Sequence, residues 1–146
     1  MMRSKFIGVA FFFLIIFSGC SIKDAVKSGS DEEILRDRVM TFWDHMIKGE
    51  FDKSYEYELP LFRKKTRMVE YIGSFNTVIV QWHSAKVDRI KVEGTSASVD
   101  MTVRTEVRLP KIKSVERDSL LTEKWVKADD VWYHVPSTFG ENVKGK

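Results

Sequence analysis

Three spacings of apolar residues succeed one another along the chain, and each calls for a different structure. From Phe6 to Phe17 the residues are apolar almost without interruption. Between Ile34 and Ile47 they recur every three or four positions, at Ile34, Leu35, Val39, Phe42, Trp43, Met46 and Ile47, which lines one face of a helix. From Ala97 to Leu109 every second residue suits a dry face, with Asp100, Thr102, Arg104, Glu106 and Arg108 between. That alternation is the mark of a half-buried strand.

Local signals set the limits of these elements. Ser30 and Glu33 form a capping-box pattern at the start of the helix, and Gly49 is a natural stop. Glu32/Arg36 and Asp44/Lys48 are acid-before-base pairs four apart, which support it modestly. A second, shorter helix is predicted over 51–57, with Pro60 breaking the chain after it. A third is predicted over 66–73, with Met68, Val69 and Ile72 facing inward. Residues 75–82 fit either a continued helix or a strand. Beyond His83 the pattern is β: a strand at 86–92 whose change of parity implies a bulge near Asp88-Arg89, a turn at Gly94, and the long alternating strand. A turn at 110–113, a strand at 115–127, a tight turn at Asp129-Asp130 and a strand at 131–135 follow. Helices first and an antiparallel meander after them make an α+β plan.

The first apolar block decides location. Met1-Met2-Arg3-Ser4-Lys5 is basic, and the twelve residues 6–17 would span only about 18 Å as a helix, against the roughly 30 Å of a bilayer core. A basic start, a short apolar middle and small residues at the end describe a secretory signal peptide over residues 1–19; an uncleaved anchor is the alternative. Phe17-Ser18-Gly19-Cys20 resembles a bacterial lipoprotein box, with Phe17 where leucine is usual. The resemblance implies a diacylglyceryl group on the Cys20 sulfur, cleavage between Gly19 and Cys20, and acylation of the new amino group, by palmitate for example. Several acyl chains anchor durably where one would be marginal. Ser21, in place of aspartate, resembles the outer-membrane sorting pattern of Gram-negative bacteria. A plain free cysteine is the other reading, and a single cysteine forms no internal disulfide.

Processing would alter the charge as well. The 24 basic and 21 acidic side chains give +3, but removing residues 1–19 takes Arg3 and Lys5 and leaves 127 residues with 22 against 21. A near-neutral secreted chain is not a nucleic-acid binder. Residues 20–30 read as a lipidated tether whose flexible stretch reaches on the order of 17 Å, residues 31–136 as one domain, and residues 137–146 as a flexible tail.

The order of elements in that domain resembles the nuclear transport factor two-like (cystatin-like) cone, in which helices pack on a curved antiparallel meander. The resemblance rests on Phe42-Trp43, Gly49-Glu50-Phe51-Asp52, Tyr55, Pro60, Arg63, Ala85-Lys86-Val87-Asp88-Arg89-Ile90 and Ala97-Ser98-Val99. The closing Lys124-Trp125-Val126-Lys127 and Asp129-Asp130-Val131-Trp132-Tyr133 complete it. Asp130 stands where a glycine is usual, so a different turn type is expected. Such cones serve enzymes like ketosteroid isomerase and SnoaL-like cyclases, and also many non-catalytic modules, so the likeness implies architecture before activity.

Candidate chemistry is sparse. His45, His83 and His134 have no ligand spacing, and there is no nucleophile motif or glycine-rich phosphate loop. No metal, cofactor or catalytic set is expected. The candidate pocket residues are Arg38 and His45, on the helix edge that would face the cone's mouth, with Tyr55, Trp82 and Trp125 among the aromatics that suit ligand sites. The favoured reading of Arg38 and His45 is nonetheless a snorkelling Arg and a boundary His, and that of the aromatics is core. Trp132 and His134 share one strand face, opposite Val131, Tyr133 and Val135. Asp44, Asp88 and Asp100 are candidate acids, none placed as a buried catalytic group. Arg63-Lys64-Lys65 and Arg67, with Arg104 and Arg108, could meet anionic lipid headgroups. The expected function is a membrane-anchored envelope lipoprotein acting as a non-catalytic binding or assembly module. Its partners would be the membrane and an envelope protein or small ligand, with an oligomer open. The alternative is a small-molecule carrier or an enzyme using the cone interior.

Overall fold

A computed structural model describes residues 30–111 and 113–137. The signal peptide, Cys20 with its cleavage site, nearly all of the tether, and the tail beyond Ser137 lie outside the described residues.

Helix α1 (Asp31–Lys48) begins as its sequence asks: Ser30 Oγ accepts from the Glu33 amide, and the Glu33 carboxylate accepts from the Ser30 amide. It ends at Gly49, whose φ of 72° is the left-handed conformation that a helix C-terminus favours in glycine. Its stripe Leu35, Val39, Phe42, Trp43 and Met46 is buried. Three short helices follow: α2 (Phe51–Tyr55), α3 (Pro60–Lys65) and α4 (Met68–Gly73).

Here the structure departs from the sequence reading. Pro60 does not simply end the preceding helix; it opens α3 as its first residue, where a missing N–H costs nothing. In α4 the inward residue is Tyr71, whereas Met68 and Ile72 are partly exposed and Val69 is 66% exposed. A six-residue helix turns too little surface inward for three apolar positions, and the Tyr71 ring takes the one deep place, between Tyr55 and Phe75.

The sheet is a simple antiparallel meander, β1 (Val80–Glu93), β2 (Ser96–Val107), β3 (Val115–Ala128) and β4 (Val131–Val135), paired in that order. β1 is longer than expected and absorbs the undecided residues from Val80 onward. Its register with β2 shifts at Asp88, as the parity change implied, and again at His83. Each extra residue bends the strand and increases its twist. β2 stops at Val107, so Leu109 is exposed rather than the last residue of the dry face. At the β3–β4 turn both Asp129 and Asp130 have positive φ, 48° and 60°. The conformation of a two-residue hairpin turn is thus kept despite the aspartate in the glycine position.

α1 lies on the face of the sheet formed by Val87, Ala97, Val99, Met101, Val103, Trp125 and Trp132. A smaller cluster of Tyr55, Phe62 and Tyr71 fills the space under α2–α4. Each such side chain removed from water contributes about 1.5–3 kcal/mol, so the two clusters hold the fold together. One further contact closes the edge of the sheet. The His134 amide donates to the Tyr57 carbonyl at 2.8 Å, and the Leu59 amide donates to the His134 carbonyl at 2.9 Å. The loop between α2 and α3 thereby pairs with β4 as a minimal parallel strand.

Candidate functional site

That edge contact carries Glu58 into the interior. Its neighbours in the loop use their backbones on β4, and the Glu58 side chain turns in beside the His134 ring, 2% exposed. Glu58 Oε2 lies 2.9 Å from His134 Nδ1. On β3 the inward positions alternate, and Glu123 occupies one of them, two residues before the wholly buried Trp125. Glu123 Oε1 accepts from the Trp43 indole at 2.9 Å, Oε2 accepts from the Trp125 indole at 3.0 Å, and Oε1 stands 4.0 Å from His134 Nε2. Tyr71, from α4, places its hydroxyl 3.1 Å from Ser54 Oγ.

Glu58, Glu123, His134 and Tyr71 line a cavity of about 320 Å³ together with Trp43, Phe75 and Trp82. A single imidazole therefore lies between two carboxylates inside an aromatic wall. The environment moves the titrations. Burial pushes the Glu123 carboxyl up, against the opposing pull of the His134 charge and the two indole hydrogen bonds. Burial also works to lower the His134 pKa, but the hydrogen bond and charge of Glu58, with the charge of Glu123, outweigh it, and the net direction is upward. The Tyr71 phenol is driven well above its ordinary value by burial first and by the Glu58 charge second.

Fold stability alone does not call for these groups. A buried ion pair is commonly matched or bettered, by about 1–4 kcal/mol, when apolar residues of similar volume replace it. Glu58 and Glu123 face opposite nitrogens of the ring, so the three groups do not converge on one point. Among the described residues no set of three His, Cys, Asp or Glu is placed to hold a metal. What the arrangement can do is accept hydrogen bonds from a ligand, balance a positive charge, or pass a proton through the imidazole.

The five residues singled out from the sequence are not brought together. Trp82 lies in the cavity wall. Trp125 is 0% exposed and acts through its indole on Glu123. Tyr55 donates its hydroxyl to the carbonyl of Thr66, at 2.6 Å, and also contacts that of Arg63. Arg38 donates from Nε to the Trp132 carbonyl, with its guanidinium 4.5 Å above the Tyr57 ring and 5.5 Å from the Tyr133 ring. Burial lowers its pKa. His45 Nδ1 sits 2.7 Å from Glu50 Oε2, beside the Tyr57 ring.

Asp44 pairs with Lys48, Asp88 with Lys86 and Thr102, and Asp100 with Arg89 and Thr122, all at the surface. Arg63 pairs with Glu56 and Arg67 with Glu70; Arg104 pairs with Asp118 and Arg108 with Glu106. The sequence reading passed over Glu58 and Glu123. Glu123 had a signal: it shares strand parity with Trp125, so an acid stood on the dry face. Glu58 had none, since it lies in a loop whose position only the docked fold reveals.

No family model matches the chain, and no curated protein matches it in sequence. Its fold is similar to solved structures. The solution structure of a SEC-C motif containing protein from Rhodopseudomonas palustris aligns over 68% of this chain and 73% of its own, at 14% identity and a TM-score of 0.55. A candidate dehydratase from the NTF2-like family of Streptomyces avermitilis aligns over 73% of this chain and 95% of its own, at 15% identity and a TM-score of 0.53. With helices packed on a four-stranded antiparallel meander, the domain is an α+β fold similar to that of the NTF2-like dehydratase structure.

Proposed function

We propose that this chain is a lipid-anchored envelope protein whose cone interior binds a small molecule without transforming it. The observation that carries the binding part is the cavity of about 320 Å³, whose wall mixes aromatic rings with the titratable side chains of Glu58, Tyr71, Glu123 and His134. That combination of apolar surface and a few polar groups is the usual make-up of a ligand site. The non-catalytic reading is supported by His134, both of whose ring nitrogens face carboxylates. The anchor rests on the lipoprotein-box-like residues 17–20 behind their basic and apolar leader. In a Gram-negative cell, Ser21 favours the periplasmic face of the outer membrane.

Two experiments test this. Native mass spectrometry of the protein released from its own membranes should find a small molecule bound within the domain; repeated recovery of an empty domain, with no stabilisation by any member of a metabolite panel, would remove the binding reading. Cys20→Ser should abolish the lipid adduct and move the protein out of membrane fractions or leave it unprocessed. Normal processing and membrane retention of that variant would contradict the anchor.

The Glu58–His134 pair favours a second reading, an acid–base enzyme in which Glu58 orients the imidazole. Under that reading the bound molecule is converted on incubation, and His134→Gln stops the conversion while binding persists.

A further inference from the structure

Charge inside the cavity does not balance. Glu58 and Glu123 share the single His134 imidazole, at 2.9 and 4.0 Å, and no Lys or Arg stands in the wall among the described residues. With the three groups ionised the interior holds one negative charge in excess. The surplus rests on Glu123. Glu58 has the close contact with the imidazole, whereas Glu123 is met chiefly by the neutral Trp43 and Trp125 indoles. Each oxygen of Glu123 takes one indole hydrogen bond and keeps a lone pair free for another donor. Trp43, Phe75 and Trp82 line the same cavity, and aromatic ring faces attract cations.

Building on the cone interior as a binding site, we infer that its ligand is an organic cation. A single ammonium or protonated amine lies against Glu123, and an apolar body lies against the aromatic wall. An anion would meet two carboxylates with one imidazole between them, and a neutral ligand would leave the surplus charge unanswered.

The empty cavity has another way to balance, which is a proton on Glu123. Burial favours that proton. The groups facing Glu123 are His134 on β4, Glu58 on the α2–α3 loop, Tyr71 on α4 and the indoles of Trp43 on α1 and Trp125 on β3. The cation and the proton therefore compete for one carboxylate.

The test uses the full chain in zwitterionic nanodiscs, with empty nanodiscs as blank. The probes are benzyltrimethylammonium, its uncharged isostere neopentylbenzene, and benzoate, followed by tryptophan fluorescence and calorimetry. Benzyltrimethylammonium should bind at least about tenfold more tightly than neopentylbenzene, and benzoate should not bind. The cation's affinity should fall as pH is lowered from about 8 toward the ordinary carboxyl range, with up to one proton released per ligand where Glu123 is protonated. Glu123→Gln should abolish the preference and the proton release while neopentylbenzene still binds. Should that variant not fold, proton release by the unaltered chain in two buffers of different ionisation enthalpy decides the matter. Equal binding of cation and isostere, or a preference for benzoate, overturns the organic cation and leaves the binding site standing. If none of the three binds at about 1 mM, the binding site itself falls with it.

Discussion

Glu58 and His134 are joined twice, by a 2.9 Å contact between carboxylate and imidazole and by a backbone bridge at the same two residues. The second link explains the first. Tyr57 and Leu59 spend their carbonyl and amide on the open edge of β4, and the residue between them has nowhere to point but inward. A loop that caps a sheet edge thus delivers a buried acid to the cavity.

The polar interior makes stability depend on pH with a definite sign. His134 and Glu123 both have folded-state pKa values above their ordinary ones. At these two sites the folded chain binds more protons than the unfolded chain, so their contribution to stability declines as pH rises. The His134 contribution is complete below about pH 6.5 and is lost as pH climbs through its raised folded value. Thermal melts between about pH 6 and about pH 8 should show a falling Tm that Glu58→Gln flattens. The advantage of Glu123→Gln over the parent should grow as pH rises from about 4. A Tm that climbs over the first interval would count against the pairing.

Two indoles hold Glu123 in place. Trp43→Phe keeps a ring but deletes the donor to Oε1, so it should cost about 1–3 kcal/mol in denaturant unfolding. The same change should push the Glu123 carboxyl further up, which a carbon-detected NMR titration reads directly. Trp125→Phe should do likewise through Oε2.

Arg38 does two things that a lysine cannot do together: it donates from Nε to the Trp132 carbonyl and lays a flat cation over Tyr57. Arg38→Lys should lose about 1–2 kcal/mol of stability. A double-mutant cycle with Tyr57→Leu should return a coupling of about 0.5–2 kcal/mol, the ring's share. Additive losses would show that the ring contributes nothing.

The β3–β4 turn holds Asp130 at φ 60°, where a β-carbon is strained. Asp130→Gly should stabilise the domain by about 0.5 kcal/mol, the relief of strain being partly offset by the freedom glycine regains on unfolding. Equilibrium unfolding of the pair checks it.

Reading from sequence succeeded where the signal was periodic and failed where it was short. The α1 stripe, the bulge at Asp88 and β4 at Val131–Val135 all follow from spacing or parity over several residues. In 60–73 the apolar residues are too few to define a face. Pro60 reads as a break but begins α3, and Val69 reads as inward but is exposed. The candidate site fared similarly. Aromatics are recognisable as a class, but only the packed structure separates Trp82 in the cavity wall from Trp125, which stands behind Glu123, and from Tyr55 and Arg38, tied into hydrogen bonds elsewhere.

By itself the sequence determined the α+β plan, because periodicities of two and near four are written into neighbouring residues and survive without knowledge of their partners. Tertiary structure alone decided that Glu58, Glu123 and His134 meet. They come from a loop and two strands, with Glu58 and His134 separated by 76 positions. A carboxylate becomes a buried one only when distant surfaces close over it, and no local pattern encodes that closure.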